Sequence, residues 1–327
     1  MIDRLSLRAR MLIAAGGAAL LVAAALAYVV VTRDGAKATP ASDGAVVVDG
    51  PRMLVVSERK LATVSATDVS GPREVHDVDC VRSYVAGDTS VCLRPKDAWT
   101  HTLVTMNGQL KDAHEYQLPG VPSRARVSDS GRMVSWTTFV SGDSYTSSGM
   151  STRTGVIDTT TGDYVPSIEH FSVTLDGKPY RAADVNYWGV SFADDDNTFY
   201  ATLATGGQRY LVRGNFTAET VETLATNVEC PSISPDGTRL AFKQAIDNDP
   251  LKGWRISVLE LSTMKVTDLS ETRSIDDQPA WLDDETVAYT FRATDGVPSV
   301  WSVPADGTGT PTKLADNAES PAPLAHG

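Results

Sequence analysis

Asp77, Asp79, Glu229, Asp276 and Asp277 are the carboxylates best placed for acid–base chemistry, because each stands just ahead of a short apolar run that reads as a strand. Two carboxyls about 5 to 10 Å apart across a pocket hydrolyse glycosidic bonds, and a single tuned carboxyl moves protons in lyase or cyclase chemistry. His76, Arg124, Arg126, Asn186, Tyr187, Trp188 and Gln278 occupy the same kind of position elsewhere in the chain. Arginines facing carboxylates, with Tyr187 and Trp188 as an apolar wall, equally suit a polar or zwitterionic ligand such as a peptide terminus or a sugar. The same residues can also satisfy one another as an ion network lining a wet channel.

Other chemistries lack their residues. No Gly-x-Ser-x-Gly elbow is present, and the five histidines show neither His-x-x-x-His spacing nor pairing with cysteine, so neither serine hydrolysis nor a zinc site can be written. No metal and no cofactor are implied. The acidic runs Asp194–Asn197 and Asp247–Asp249 could offer oxygen ligands to Ca²⁺, but the first, like Asp283–Glu285, occupies the repeated hairpin turn, where Asp and Asn are favoured for local backbone bonds. A polar, hydroxyl-rich insertion, Ser141 to Arg153, is longer than a hairpin needs and offers Tyr145 and Arg153 as a second set of contact residues. Cys80 and Cys92 flank a reversal at Ala86 to Asp88 and are expected to form a disulfide, with Cys230 left free.

The elements that position these residues repeat. Ser232-Ile-Ser-Pro-Asp-Gly-Thr-Arg-Leu-Ala-Phe242 is two apolar runs around a Pro-Asp-Gly turn, hence a β-hairpin. Degraded copies lie at Arg126–Trp136, Ser191–Tyr200 and Ala280–Tyr289, with weaker ones at Tyr84–Leu93 and Val46–Val56. Each is followed by two more strand-like runs, the composition of a four-stranded propeller blade. Six copies predict an all-β, six-bladed propeller. The tail from Glu319 echoes Glu229-Cys-Pro-Ser232 and is expected to return to the first blade, closing the ring. Ser167 to Asn186 reads as an added hairpin that overhangs the channel mouth.

The Ser234-Pro-Asp-Gly237 turn, with Pro231 and Pro279 upstream and Leu240-Ala-Phe242 downstream, resembles the repeat of TolB-like six-bladed propellers over roughly residues 45 to 327. With its N-terminal apolar segment the chain is similar to the membrane-anchored TolB-like translocation-protein-like family of high-GC Gram-positive bacteria. It departs from TolB proper in carrying no separate N-terminal α/β domain, so the resemblance does not imply a role in the Tol system.

Met11 to Val31 is an uncharged apolar run of 21 residues, long enough to cross ~30 Å of hydrocarbon as a helix. Arg4, Arg8 and Arg10 precede it. Positive charge on that flank predicts residues 1–10 in the cytoplasm, 11–31 as one transmembrane helix or signal anchor, 32–44 as a linker and 45–327 as an extracytoplasmic propeller. Cleavage after Ala36-Lys-Ala38 would release it as a secreted protein instead.

From Ala41 onward the chain holds 24 basic and 39 acidic residues, a formal charge of −15. Such a domain repels polyanions and excludes nucleic acid as partner. The sequence therefore predicts a monomeric, non-catalytic binding or scaffolding module of the cell envelope, tethered to the cell membrane and engaging an envelope protein or a small polar ligand. The alternative is a propeller enzyme of lyase, glycosidase or cyclase type using the five carboxylates named first.

Overall fold

The turn at Ser234–Arg239 shows how the repeat is made. In the computed structural model, which describes residues 50–97, 100–141 and 150–324, Gly237 adopts φ +70° and donates its N–H to Ser234 O at 2.8 Å. Asp236 Oδ1 accepts from Thr238 N–H at 3.0 Å. The same closure recurs with Gly131 at φ +80° bonded to Ser128 O, and with Asp196 at φ +54° bonded to Ala193 O. Asp tolerates the left-handed region better than most side chains, so this copy keeps its geometry without glycine.

Six antiparallel blades result. From the axis outward the second blade is Arg82–Ala86, Thr89–Pro95, His101–Asn107 and Asp112–Leu118, and the third is Val121–Val127, Met133–Ser141, Met150–Asp158 and Tyr164–Val165. The fifth is Glu229–Ile233, Arg239–Ala245, Trp254–Glu260 and Lys265–Asp268, and the sixth Ala280–Trp281, Thr286–Arg292, Pro298–Pro304 and Thr312–Asp316. The first blade joins both ends of the chain: Glu319–Leu324 is its innermost strand, pairing with Arg52–Ser57, followed by Lys60–Ser65 and Glu74–Asp79. The Val46–Val56 copy is thus corrected. Its second run is the second strand of the blade, and the chain's tail supplies the first.

The fourth blade has six strands. Beyond Asn186–Phe192, Thr198–Thr205, Gln208–Asn215 and Thr220–Thr226, the added hairpin Ser172–Leu175 and Lys178–Tyr180 docks on the outer edge, its first strand parallel to Thr220–Thr226. It widens the rim and does not overhang the mouth. Blade faces bury one another, so middle strands are buried throughout, as at Met53–Val56, while the outermost Glu74–Asp79 alternates half-buried and exposed. Continuous apolar runs are what sheets covered on both faces require. Trp136 packs flat between blades because Gly155 lies beneath it, where a Cβ would sit 2.0 Å from the indole. Its ring stacks on Tyr164 at 5.6 Å, and Tyr164 on Tyr116 of the second blade at 5.4 Å.

Among the described residues no helix is long and apolar enough to cross a membrane. Residues 11–31, the linker and Tyr145 lie outside the described residues.

Candidate functional site

Each innermost strand starts at one mouth of the channel and ends at the hairpin turn on the opposite face. At the mouth a bulge recurs. Cys230 and Ser320 take φ +52° and +57°, and Gly189 takes +65° at the matching place in the fourth blade. The N–H of Cys230 donates to Thr202 Oγ1 at 2.8 Å and that of Ser320 to Thr290 Oγ1 at 3.3 Å. Bulges re-aim neighbouring side chains, and here the preceding residues, Glu229 and Glu319, meet the cations around the channel.

Four carboxylates and six cations gather there. Glu229, 3% exposed, has Arg209 Nε at 2.6 Å and Lys243 Nζ at 3.4 Å. Lys243 also bonds Asp276 and lies 4.0 Å from the centre of the Trp254 ring. Arg82 is 3.5 Å from Asp277 and 3.4 Å from Glu319, which in turn bonds Arg292. Asp277 also accepts from Thr290 N–H at 3.1 Å. Burial pushes the Asp277 carboxyl up, but Arg82 and Arg124 outweigh it and hold it below its ordinary value. Burial raises Glu229, with Lys243 and Arg209 offsetting part of the rise. Arg126 lies over the Tyr84 ring at 4.1 Å and donates to Pro279 O and Gln278 O. Gln278 Nε2 donates to Pro231 O at 3.0 Å. The mouth is therefore net positive within a domain of the opposite overall sign.

The structure brings together Arg124, Arg126, Glu229, Asp276, Asp277 and Gln278. It does not place His76, Asp77 and Asp79 with them. These lie on the outermost strand of the first blade, where Asp77 and Asp79 pair with Lys60 at 2.8 and 3.3 Å and His76 Nε2 meets Thr63 Oγ1 at 2.9 Å. Reading that segment as the approach to an innermost strand ignored that it still hydrogen-bonds as an edge strand. Asn186 and Tyr187 are also reassigned. Asn186 Oδ1 accepts from Thr152 N–H at 2.7 Å, and fully buried Tyr187 receives Thr154 Oγ1 on its carbonyl, so both seal the third blade to the fourth. Trp188 is half-buried on the same strand. Arg153 belongs to the strand Met150–Asp158, opposite Thr138, and not to a loop.

Sequence reasoning missed Arg82, Arg209, Lys243, Arg292 and Glu319. Glu319 had a signal, since it repeats the position of Glu229 ahead of a Pro two residues on. Lys243, Arg209 and Arg292 lie on second and third strands and reach the mouth only through the pairing of the blades.

A second cavity of about 470 Å³ opens at the rim, between Phe171, Tyr180, Arg181 and Val185, with Glu169 at its base. Glu169 accepts from Thr154 N–H at 3.0 Å, Thr152 Oγ1 at 3.2 Å and Ser167 Oγ at 2.5 Å, tying the third blade to the turn Ile168–His170. Burial pushes its carboxyl up to about 7 against those bonds. A raised folded-state value means stability that is complete below about pH 4.5 and is lost as pH rises through about 7. Wild type should lose about 2 to 3 kcal/mol more than Glu169→Gln between pH 5 and pH 8 in urea titrations. Parallel losses in the two proteins would remove Glu169 from the explanation.

Cys80 and Cys92 are joined by a disulfide, with Cα atoms 5.6 Å apart. The hairpin turns between Gly87 and Asp88, so Cys92 faces Ser83 and the bridge reaches diagonally to Cys80 beyond the end of the strand. Its short closed loop is worth about 3 kcal/mol in the chain-entropy account. Reduction, or Cys80→Ser with Cys92→Ser, should lower the melting temperature by roughly 6 to 12 °C. An unchanged melt would show the bridge to be dispensable. Cys230 is free and buried.

No protein-family model and no curated protein matches the chain. Solved structures do. TolB from Acinetobacter baumannii superposes with TM-score 0.59 at 15% identity, covering 84% of this chain and 68% of that one. A putative TolB from Agrobacterium tumefaciens gives 0.50 at 10% identity, over 83% and 92%. A chain of the nidogen/laminin complex gives 0.54 at 10% identity, over 84% and 98%. At these identities the likeness is one of fold, and the fold is a TolB-like six-bladed propeller.

Proposed function

We propose that this TolB-like propeller is a non-catalytic recognition module of the cell envelope, held at the membrane by residues 11–31 and meeting its partner at the channel mouth. The observation that supports this most is the pairing of the mouth's carboxylates. Glu229, Asp276, Asp277 and Glu319 each face at least one cation. A general acid or base needs a carboxyl that can exchange its proton with substrate, and charges locked in ion pairs serve recognition better. Asp77 and Asp79, the other two acid–base candidates, stand on an outer edge.

At the rim the array is mixed in sign and open to solvent: the side chain of Asp276 is 66% exposed and that of Arg292 48%. A polar segment of an envelope protein carrying both charges fits it. The full-length chain, purified from solubilised membranes, should co-purify a discrete envelope protein. Asp276→Lys with Arg292→Glu should reduce that capture at least about tenfold by opposing like charges. Capture unaffected by the reversal, or no specific partner, would remove the mouth from this role. Export of the propeller is checked by protease treatment of intact cells, which should degrade it and spare a cytoplasmic control.

A further inference from the structure

Below the rim the channel wall holds a niche of about 20 Å³ beside Arg82, Ser83, Arg124, Arg126, Gln278 and Ser320, with the Asp277 carboxylate also on its lining. A space of that size takes one water or one monatomic ion. Five of these residues carry a buried polar atom without a hydrogen-bond partner: Ser83 Oγ, Arg124 Nε, Arg126 Nε, Gln278 Oε1 and Ser320 Oγ. Buried polar atoms are rarely left unsatisfied, so several around one niche mark a missing occupant. Four of the five can donate, and only Gln278 Oε1 is purely an acceptor.

Charge decides what the occupant is. Arg124 hydrogen-bonds Ser123 and the Cys230 side chain and is attracted by Asp277, while Arg126 donates only to backbone carbonyls. Among the described residues neither lies within ion-pair distance of a carboxylate; Arg82 pairs with Asp277 and Glu319, and Arg124 shares the field of Asp277. Arginine stays protonated in proteins, so three guanidiniums, Arg82, Arg124 and Arg126, face two carboxylates, Asp277 and Glu319, and one cation is left without a counter-charge, which is costly at low dielectric. Water satisfies donors but supplies no charge. We infer that the niche binds one halide-sized anion, physiologically chloride, held between Arg124, Arg126, Ser83 and Ser320. The anion would fix the starts of the innermost strands of the first, second and third blades, the floor of the mouth. This does not depend on what, if anything, binds at the rim.

Crystals of the protein grown or soaked in sodium bromide test it. An anomalous bromine peak in contact with Arg126 and Ser320 is expected. A niche filled by water in bromide, or empty, would overturn the assignment. In solution the melting temperature should rise by roughly 2 to 5 °C for each tenfold increase in chloride above its dissociation constant, and not with a bulky sulfonate at equal ionic strength. Arg126→Met should abolish the chloride increment. If that variant does not fold, Ser83→Ala with Ser320→Ala provides the same readout, reducing the increment. Equal responses to chloride and sulfonate in wild type would also contradict the site.

Discussion

Glu229→Ala is expected to lower the unfolding free energy by about 3 to 5 kcal/mol, because it strips a buried carboxylate from buried Lys243 and half-buried Arg209. Lys243 is 4% exposed and Glu229 3%, so neither is screened as a surface pair would be. Asp276 remains for Lys243, but Arg209 loses its neighbour at 2.6 Å. The variant should unfold at clearly lower urea with an unchanged slope. Replacing the pair together, Glu229→Leu with Lys243→Met, should restore much of the loss, since apolar residues of similar volume replace buried ion pairs at little cost. A single variant as stable as wild type would mean that the pair is solvated and the mouth looser than described.

Deleting residues 318–327 should abolish cooperative unfolding altogether. The deletion removes Glu319–Leu324, the innermost strand of the first blade, and uncovers Met53, Leu54 and Val56, which are at most 2% exposed. It leaves Arg52–Ser57 as an open edge and breaks the ring. Arg82 and Arg292 lose Glu319 in the same step. The loss should exceed most of the ~5 to 15 kcal/mol that stabilises a typical domain, giving a chain without near-ultraviolet circular dichroism. A peptide spanning 317–327 added in trans should restore part of the signal by completing the sheet. A truncated chain with wild-type cooperativity would refute closure by the tail.

Much of the architecture was legible because a hairpin turn leaves a local signature. Ser234 to Gly237, Ser128 to Gly131 and Ala193 to Asp196 share one hydrogen-bonding scheme, and the polar turn between apolar runs persists even where glycine does not. The echo of Glu229 in Glu319 revealed the closing strand for the same reason. The site was legible only in part. Arg124, Arg126, Glu229, Asp276, Asp277 and Gln278 stand within a few residues of the innermost-strand starts, so one-dimensional position sufficed. Arg209, Lys243 and Arg292 arrive from other strands, and only the pairing register brings them in. His76, Asp77 and Asp79 misled because a blade's outermost strand runs directly into the next innermost one at Cys80, with no turn residue to mark the boundary. Asn186 and Tyr187 look like mouth residues by position, yet the third blade packs over them.

Asp276 and Asp283 are exposed residues at opposite ends of the sixth blade's innermost strand, and a photo-crosslinking amino acid placed at each in whole cells compares the two faces directly. The mouth position should yield a discrete crosslinked envelope partner that disappears when Arg292→Glu is added, and the turn position should yield none. Crosslinks from Asp283 alone, or a mouth adduct indifferent to Arg292→Glu, would contradict recognition at the channel mouth.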